Sequence, residues 1–192
     1  ILPKLSSFFV FFFTANLLAK GGLFFTGGEV LICLLLFYMM FISEKEVLSP
    51  VQNTINNAGF YALLIQICIL YFFSTFFKLY DANWTSGKAL MYVADIPFYS
   101  VGWFHELVHA FPTFSKIATI LILIYQGFFC VVVWIKSVKI PFLIFGLILH
   151  LGIAFGMGIF TFGIVMCIAY LLFLDSSHID RLIKLISRKE NG

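Results

Sequence analysis

Three groups of residues have the types and spacing to do chemistry in this chain. Lys78 ends an apolar run, residues 58–77, that is long enough to cross a bilayer. A lysine at membrane depth either snorkels to the headgroups or is kept as a neutral base by desolvation. Asp81 lies close enough in sequence to pair with it and hold it charged. His150 lies ten residues into a later apolar run, where an ionisable side chain marks a functional position unless a neighbouring helix satisfies it as a neutral imidazole. The run His105-Glu106-Leu107-Val108-His109 satisfies the HExxH pattern. Two histidines one helical turn apart can grip zinc there while the glutamate activates a bound water. A catalytic zinc needs a third protein ligand, and His150, Asp175 and His178 are the candidates. The plainer reading of the motif is an amphipathic interfacial helix that ends before Pro112.

The elements that position these residues are set by the solvent. Of the residues, 62% are hydrophobic and 11% charged, against roughly 25% charged in a soluble domain, which places the chain in a bilayer. Without water in the hydrocarbon, backbone donors and acceptors must be paired within a segment, so the spans are expected to be helices. No strand-like alternation supports a barrel. The predicted fold is an all-α, polytopic integral membrane helix bundle of five or six spans.

Apolar runs place these spans at 5–19, 29–42, 58–77 and 117–135. The stretch 140–174 would reach about 50 Å as one helix, so it is split near Gly156 and Gly158. With an even count, Lys4, Lys45, Lys136 and Lys139 share the cytoplasmic side with Arg181, Lys184, Arg188 and Lys189. Lys20, Lys88, Lys116 and the long connection 79–115 then face the other way. The chain opens Ile1-Leu2-Pro3 without a methionine, from which we expect a preceding segment.

The connection 79–115 is too long to be a mere link and is expected to carry structure of its own. Thr85 or Ser86 is predicted to cap a short helix over 88–93. Trp84, Tyr92, Tyr99 and Trp103 suit the headgroup level. Residues 176–192 form a basic tail in which Ile179, Leu182, Ile183 and Ile186 share one face of a predicted interfacial helix. Cys33, Cys68, Cys130 and Cys167 all lie in apolar spans without metal-site spacing and read as small hydrophobes. The few basic residues and the placement of aromatics in the spans argue against nucleic acid. With no paired broken helices or inverted repeat, a transporter is disfavoured.

The run from Tyr71 through Lys78, Asp81, Trp84, Gly87 and Lys88 to Leu90 resembles the central signature of the horizontally transferred transmembrane (HTTM) family, which includes vitamin K-dependent gamma-carboxylase. There a membrane helix ends in a lysine, and a tryptophan and a glycine follow at these spacings. His150-Leu151-Gly152-Ile153-Ala154-Phe155-Gly156-Met157-Gly158-Ile159-Phe160-Thr161-Phe162-Gly163-Ile164-Val165-Met166 is similar to the family's later helix, and Gly27-Gly28-Glu29 opens the second span. Within the family, the layout looks most like the bacterial branch similar to sporulation-delaying protein B, which helps to mature a secreted peptide toxin.

This resemblance implies an HTTM-like membrane domain over 1–175, set in a bacterial cytoplasmic membrane. It implies Lys78 as a base and His150 as its active-site companion, with Asp81, Trp84 and Gly87 shaping the loop. A vitamin K-like hydroquinone is the implied cofactor. The implied partners, besides membrane lipids, are a secreted peptide precursor and other maturation proteins. The carboxylase also uses an earlier histidine near the start of a span, and Thr26-Gly27-Gly28-Glu29-Val30 holds none. It also holds its substrate with a large soluble domain, whereas only 176–192 follows the last span here. The resemblance therefore carries the membrane fold and a base rather than full carboxylation. Zinc hydrolysis through His105, Glu106 and His109 and a non-catalytic role in peptide assembly or export are the alternatives.

Overall fold

The computed structural model describes residues 2–21, 27–43, 48–175 and 178, with side chains from residue 5 onward. The expectations about a segment before Ile1 and about the helix at 179–186 lie outside the described residues. What is described is all-helical: α1 (Leu2–Gly21), α2 (Gly27–Met39), α3 (Pro50–Leu79), α4 (Ala82–Thr85), α5 (Ala89–Ala94), α6 (Gly102–Ala110), α7 (Pro112–Val132), α8 (Lys136–Gly156) and α9 (Phe160–Tyr170), with short 3-10 turns at Pro97–Tyr99 and Leu171–Phe173. Three helices, α3, α7 and α8, are long and apolar enough to cross a membrane. Leu5–Lys20, Gly27–Met39 and Phe160–Phe173 are apolar but shorter.

Helix α3 starts eight residues before the apolar run does, because Ser49 nucleates it. The Ser49 hydroxyl accepts from the Gln52 amide at 3.3 Å and the Gln52 side chain accepts from the Ser49 amide at 3.2 Å. With Pro50 at the first helical position, this is a capping box that satisfies two otherwise orphaned donors. At 30 residues the helix runs about 45 Å, so its polar first turns extend past a hydrocarbon layer of about 30 Å. Asn56 in those turns accepts from the Ser43 amide at 2.6 Å and fastens the α2–α3 connection.

Helices α3 and α7 are antiparallel, as successive contacts show. The Cys130 thiol donates to the Cys68 carbonyl at 3.0 Å, Tyr71 stacks on Phe129 at 3.9 Å between ring centroids, and Lys78 reaches Gln126 at 2.6 Å. The cysteines are free, and of the four only Cys68 is buried, the other three being partly exposed. The core between α3, α7, α8 and α9 holds Leu64, Ile67, Tyr71, Tyr125, Phe129, Met166 and Tyr170, with Leu31 of α2 joining it. The outward faces remain apolar, as at Phe72, Phe73, Phe76 and Phe77 of α3, which is the pattern of helices solvated by lipid.

The apolar stretch 140–174 breaks where the glycines predict. α8 ends at Gly156, Gly158 takes a positive φ of +71° that side chains resist, and α9 begins at Phe160. The two helices lie against each other so closely that a Cβ on Gly163 would stand 2.5 Å from the His150 carbonyl oxygen. Gly28 of α2 approaches α9 in the same way, its would-be Cβ falling 2.6 Å from Phe162 Cα. Small residues let helix backbones meet where lipid supplies no hydrophobic drive between them.

The connection 79–115 is helical, and its helices α4, α5 and α6 pack on α7. The expected short helix forms over Ala89–Ala94, but neither Thr85 nor Ser86 caps it. Thr85 belongs to α4, Ser86 ends that helix, and Lys88 stands at the start of α5 without a side-chain cap. Gly87 separates the two helices at φ +78°, where a Cβ would also meet Lys116 Cγ at 2.6 Å. Leu90, Ala94 and Val108 form a small core of their own beneath α5 and α6. The Val101 amide donates to the Gly156 carbonyl at 3.1 Å, tying this cap to the end of α8.

Candidate functional site at the bundle mouth

Lys78 is half-buried at the last turn of α3, and its ammonium donates to Ser74 Oγ at 3.0 Å and to Gln126 Oε1 at 2.6 Å. Trp84, carried round by α4, covers it with its ring centroid 4.4 Å from Nζ, a distance at which an aromatic face attracts a cation. Ser74 also donates to Gln126 Oε1 at 3.3 Å. The pairing with Asp81 that sequence proximity allows does not form. Asp81 instead caps α4, its carboxylate accepting from the Asn83 amide at 2.8 Å. A charged side chain at an Ncap satisfies helix donors that have no other partner, so helix initiation claims the carboxylate that proximity alone would assign to the lysine.

Seven residues back along α3, about 10 Å deeper, a second polar group crosses the bundle. His150 of α8 is 1% exposed and Tyr71 of α3 equally buried. The Tyr71 hydroxyl meets His150 Nε2 at 2.7 Å and also hydrogen-bonds the Tyr170 hydroxyl, to which Tyr125 donates at 2.9 Å. Gly146 of α8 makes room for this cluster, since a Cβ there would run into the Tyr125 and Tyr170 hydroxyls. His150 Nδ1 has no hydrogen-bond partner among the described residues. The structure thus brings Lys78 and His150 into the same bundle at successive depths on the Tyr71–Lys78 face of α3, with Gln126 and Tyr71 as their immediate partners.

Sequence reasoning did not find Gln126, Tyr71, Tyr125 or Tyr170. A signal for each was present: Gln126 is the only amide side chain in α7, and a tyrosine in mid-span carries a hydroxyl that needs a partner in hydrocarbon. An apolar groove of about 370 Å³ lies along α8 and α9, lined in part by Leu143, Leu147, Cys167 and Tyr170. Its lining includes neither Lys78 nor His150.

The HExxH residues lie elsewhere. His105 and His109 are exposed on α6, and both present Nε2 to Asp95 Oδ1, at 3.4 Å and 2.7 Å. None of the three expected third ligands is near them by its contacts. His150 is enclosed with Tyr71, while Asp175 pairs with Lys139 Nζ at 3.0 Å and with His178 Nδ1 at 3.6 Å. The carboxylate beside the motif is Asp95, the residue that ends α5.

The Lys139–Asp175 contact closes the open end of the α8–α9 hairpin. The hydrogen bond from Lys139 holds the Asp175 carboxyl below the usual carboxylate range. A folded pKa lower than the unfolded one stabilises above the ordinary carboxylate value and loses that contribution as pH falls through the depressed value. Wild type and Asp175→Asn are therefore expected to differ in thermal unfolding midpoint at neutral pH and to converge in acid below the folded pKa. The gap is small because the carboxylate is half exposed. Equal midpoints at neutral pH would remove the pair from the stability of the hairpin.

Comparison with protein-family models, with curated proteins and with solved structures returned no match to this chain.

Proposed function

We propose that this is a membrane protein that transfers a proton at the mouth of its helix bundle, with Lys78 as the base, in the maturation of a secreted peptide. The observation that carries the reading is the company of Lys78. Its ammonium is held by two neutral acceptors and an aromatic face, and the one carboxylate close in sequence is engaged in capping α4. A lysine fixed by a carboxylate stays charged, whereas one held by Ser74, Gln126 and Trp84 keeps both protonation states available. His150, with a free ring nitrogen among the described residues, is the second polar group on the path inward. A substrate reaches Lys78 along the Trp84-bearing cap.

The peptide substrate and the bacterial cytoplasmic membrane rest on the family resemblance of the Tyr71–Leu90 and His150–Met166 segments. In cells making the chain and its peptide, Lys78→Ala and Lys78→Arg are both expected to reduce the mature product by about 100-fold or more, the lower end of what one general base contributes. Arginine retains the charge but does not give up its proton. Mass spectrometry of the secreted peptide checks this. A product unchanged in mass and yield in both variants removes the base. A product of reduced yield but unaltered mass in every variant, including changes at Trp84, indicates an assembly role without chemistry.

A further inference from the structure

Asp95, His105 and His109 belong to neither polar group of the bundle. We propose that they form a binding site for a divalent transition-metal ion, zinc in the first instance, on the exposed face of the cap. The three donor atoms all lie within 4.8 Å of one another. Ligands at zinc bond lengths of about 2.0–2.2 Å sit about 3.3–3.6 Å apart in a tetrahedron. The His105–Asp95 separation of 3.4 Å already has that value, and the His109–Asp95 separation of 2.7 Å needs only a small rotation of an exposed side chain. The two imidazole rings stand 4.4 Å apart between centroids, on one face of α6.

The frame beneath the donors is fixed. Val108, fully buried between the two histidines in sequence, plugs α6 into the core it shares with Leu90 and Ala94 of α5. Asp95 directly follows Ala94, so the same packing that seats α6 sets the carboxylate opposite the histidines. Phe104, just before His105, lies against Gly156 of α8. Two imidazoles and one carboxylate suit zinc and its neighbours in the transition series rather than calcium or magnesium. Three protein ligands leave one tetrahedral position for water or a substrate group. Glu106 is outside the donor set.

The test uses the whole chain in detergent, stripped with a chelator and titrated with Zn²⁺ by calorimetry, and with Co²⁺ as a spectroscopic probe. One equivalent of metal per chain and visible cobalt bands of tetrahedral intensity are expected. Asp95→Ala, His105→Ala and His109→Ala are each expected to weaken binding beyond the roughly 10–100-fold that follows loss of an outer-shell partner. Glu106→Gln binds as wild type does. Because the three side chains are exposed, circular dichroism of the variants is expected to stay helical, which separates a lost site from a lost fold. Absence of stoichiometric binding by the wild type, or an Asp95→Ala variant that binds as tightly as wild type, overturns the proposal. Lys78→Ala is expected to leave zinc affinity unchanged, so the failure of this site and the failure of the proton-transfer reading are separately visible.

Discussion

Gly163→Leu is expected to destabilise the bundle by more than about 3 kcal/mol, at or beyond the upper end of what overpacking a core costs, and to strip the folded protein from detergent extracts. The reason lies in what a side chain at this position would strike. A Cβ would stand 2.5 Å from the His150 carbonyl oxygen, 2.7 Å from Ala154 Cβ and 2.9 Å from the Ala154 amide nitrogen. These are backbone atoms and a methyl that has no rotamer to escape into. At the roughly 3.5 Å that carbon contacts prefer, even alanine obliges α8 and α9 to part by about 1 Å, and leucine by far more. That movement would also displace His150 from Tyr71, because the carbonyl and the imidazole belong to one residue. Gly152→Leu, on the same α8, is the control: a Cβ there meets nothing within 4 Å, so its unfolding midpoint should match the wild type. Equal midpoints for Gly163→Leu and Gly152→Leu would mean that the helices are not in backbone contact.

Tyr71→Ala is expected to cost about 3–5 kcal/mol, as for other large aromatic truncations in a core. It removes the ring stacked on Phe129 at 3.9 Å and the hydroxyl that serves both His150 and Tyr170. Tyr71→Phe separates these contributions. It keeps the stack but leaves His150 Nε2 without its partner, on an imidazole whose other nitrogen already has none among the described residues. An unsatisfied buried polar group costs about 1–3 kcal/mol. Unfolding midpoints in detergent should therefore fall in the order wild type, Tyr71→Phe, Tyr71→Ala. A phenylalanine variant as stable as wild type would show that the hydrogen bond to His150 contributes nothing to the bundle.

Local features of this molecule were readable from the chain. The break after Gly156, the helical character of 79–115, the helix around His105 and the position of Lys78 at a helix end all follow from composition, glycine placement and periodicity over one or two turns. Long-range partners were not readable. Sequence proximity offered Asp81, three residues away, as one partner for Lys78, yet its shortest hydrogen bond is to Gln126, 48 residues away. The carboxylate that stands beside His105 and His109 is Asp95, upstream of them, whereas the candidate third ligands His150, Asp175 and His178 all lie downstream. Periodicity shows which residues share a face but not which helix that face meets. Tyr61 and Tyr71 illustrate the limit: both are aromatic residues in one apolar helix, yet the first is 56% exposed and the second 1%. Span lengths differed for a related reason. Helix α3 follows its capping box outward through polar turns, whereas a hydropathy reading ends where the apolar residues end.

The tyrosine cluster around Gly146 also bears on how the molecule comes together. Its members arrive from four helices: Tyr71 from α3, Tyr125 from α7, the glycine notch and His150 from α8, and Tyr170 from α9. Any pair of these helices that docks alone leaves at least one hydroxyl or ring nitrogen facing hydrocarbon without its native partner, which a bilayer penalises. Only the complete set pairs all three hydroxyls and His150 Nε2 at once. The cluster therefore favours docking of all four helices over any single pair, because each helix left out or out of register strands a polar atom that the native arrangement pairs.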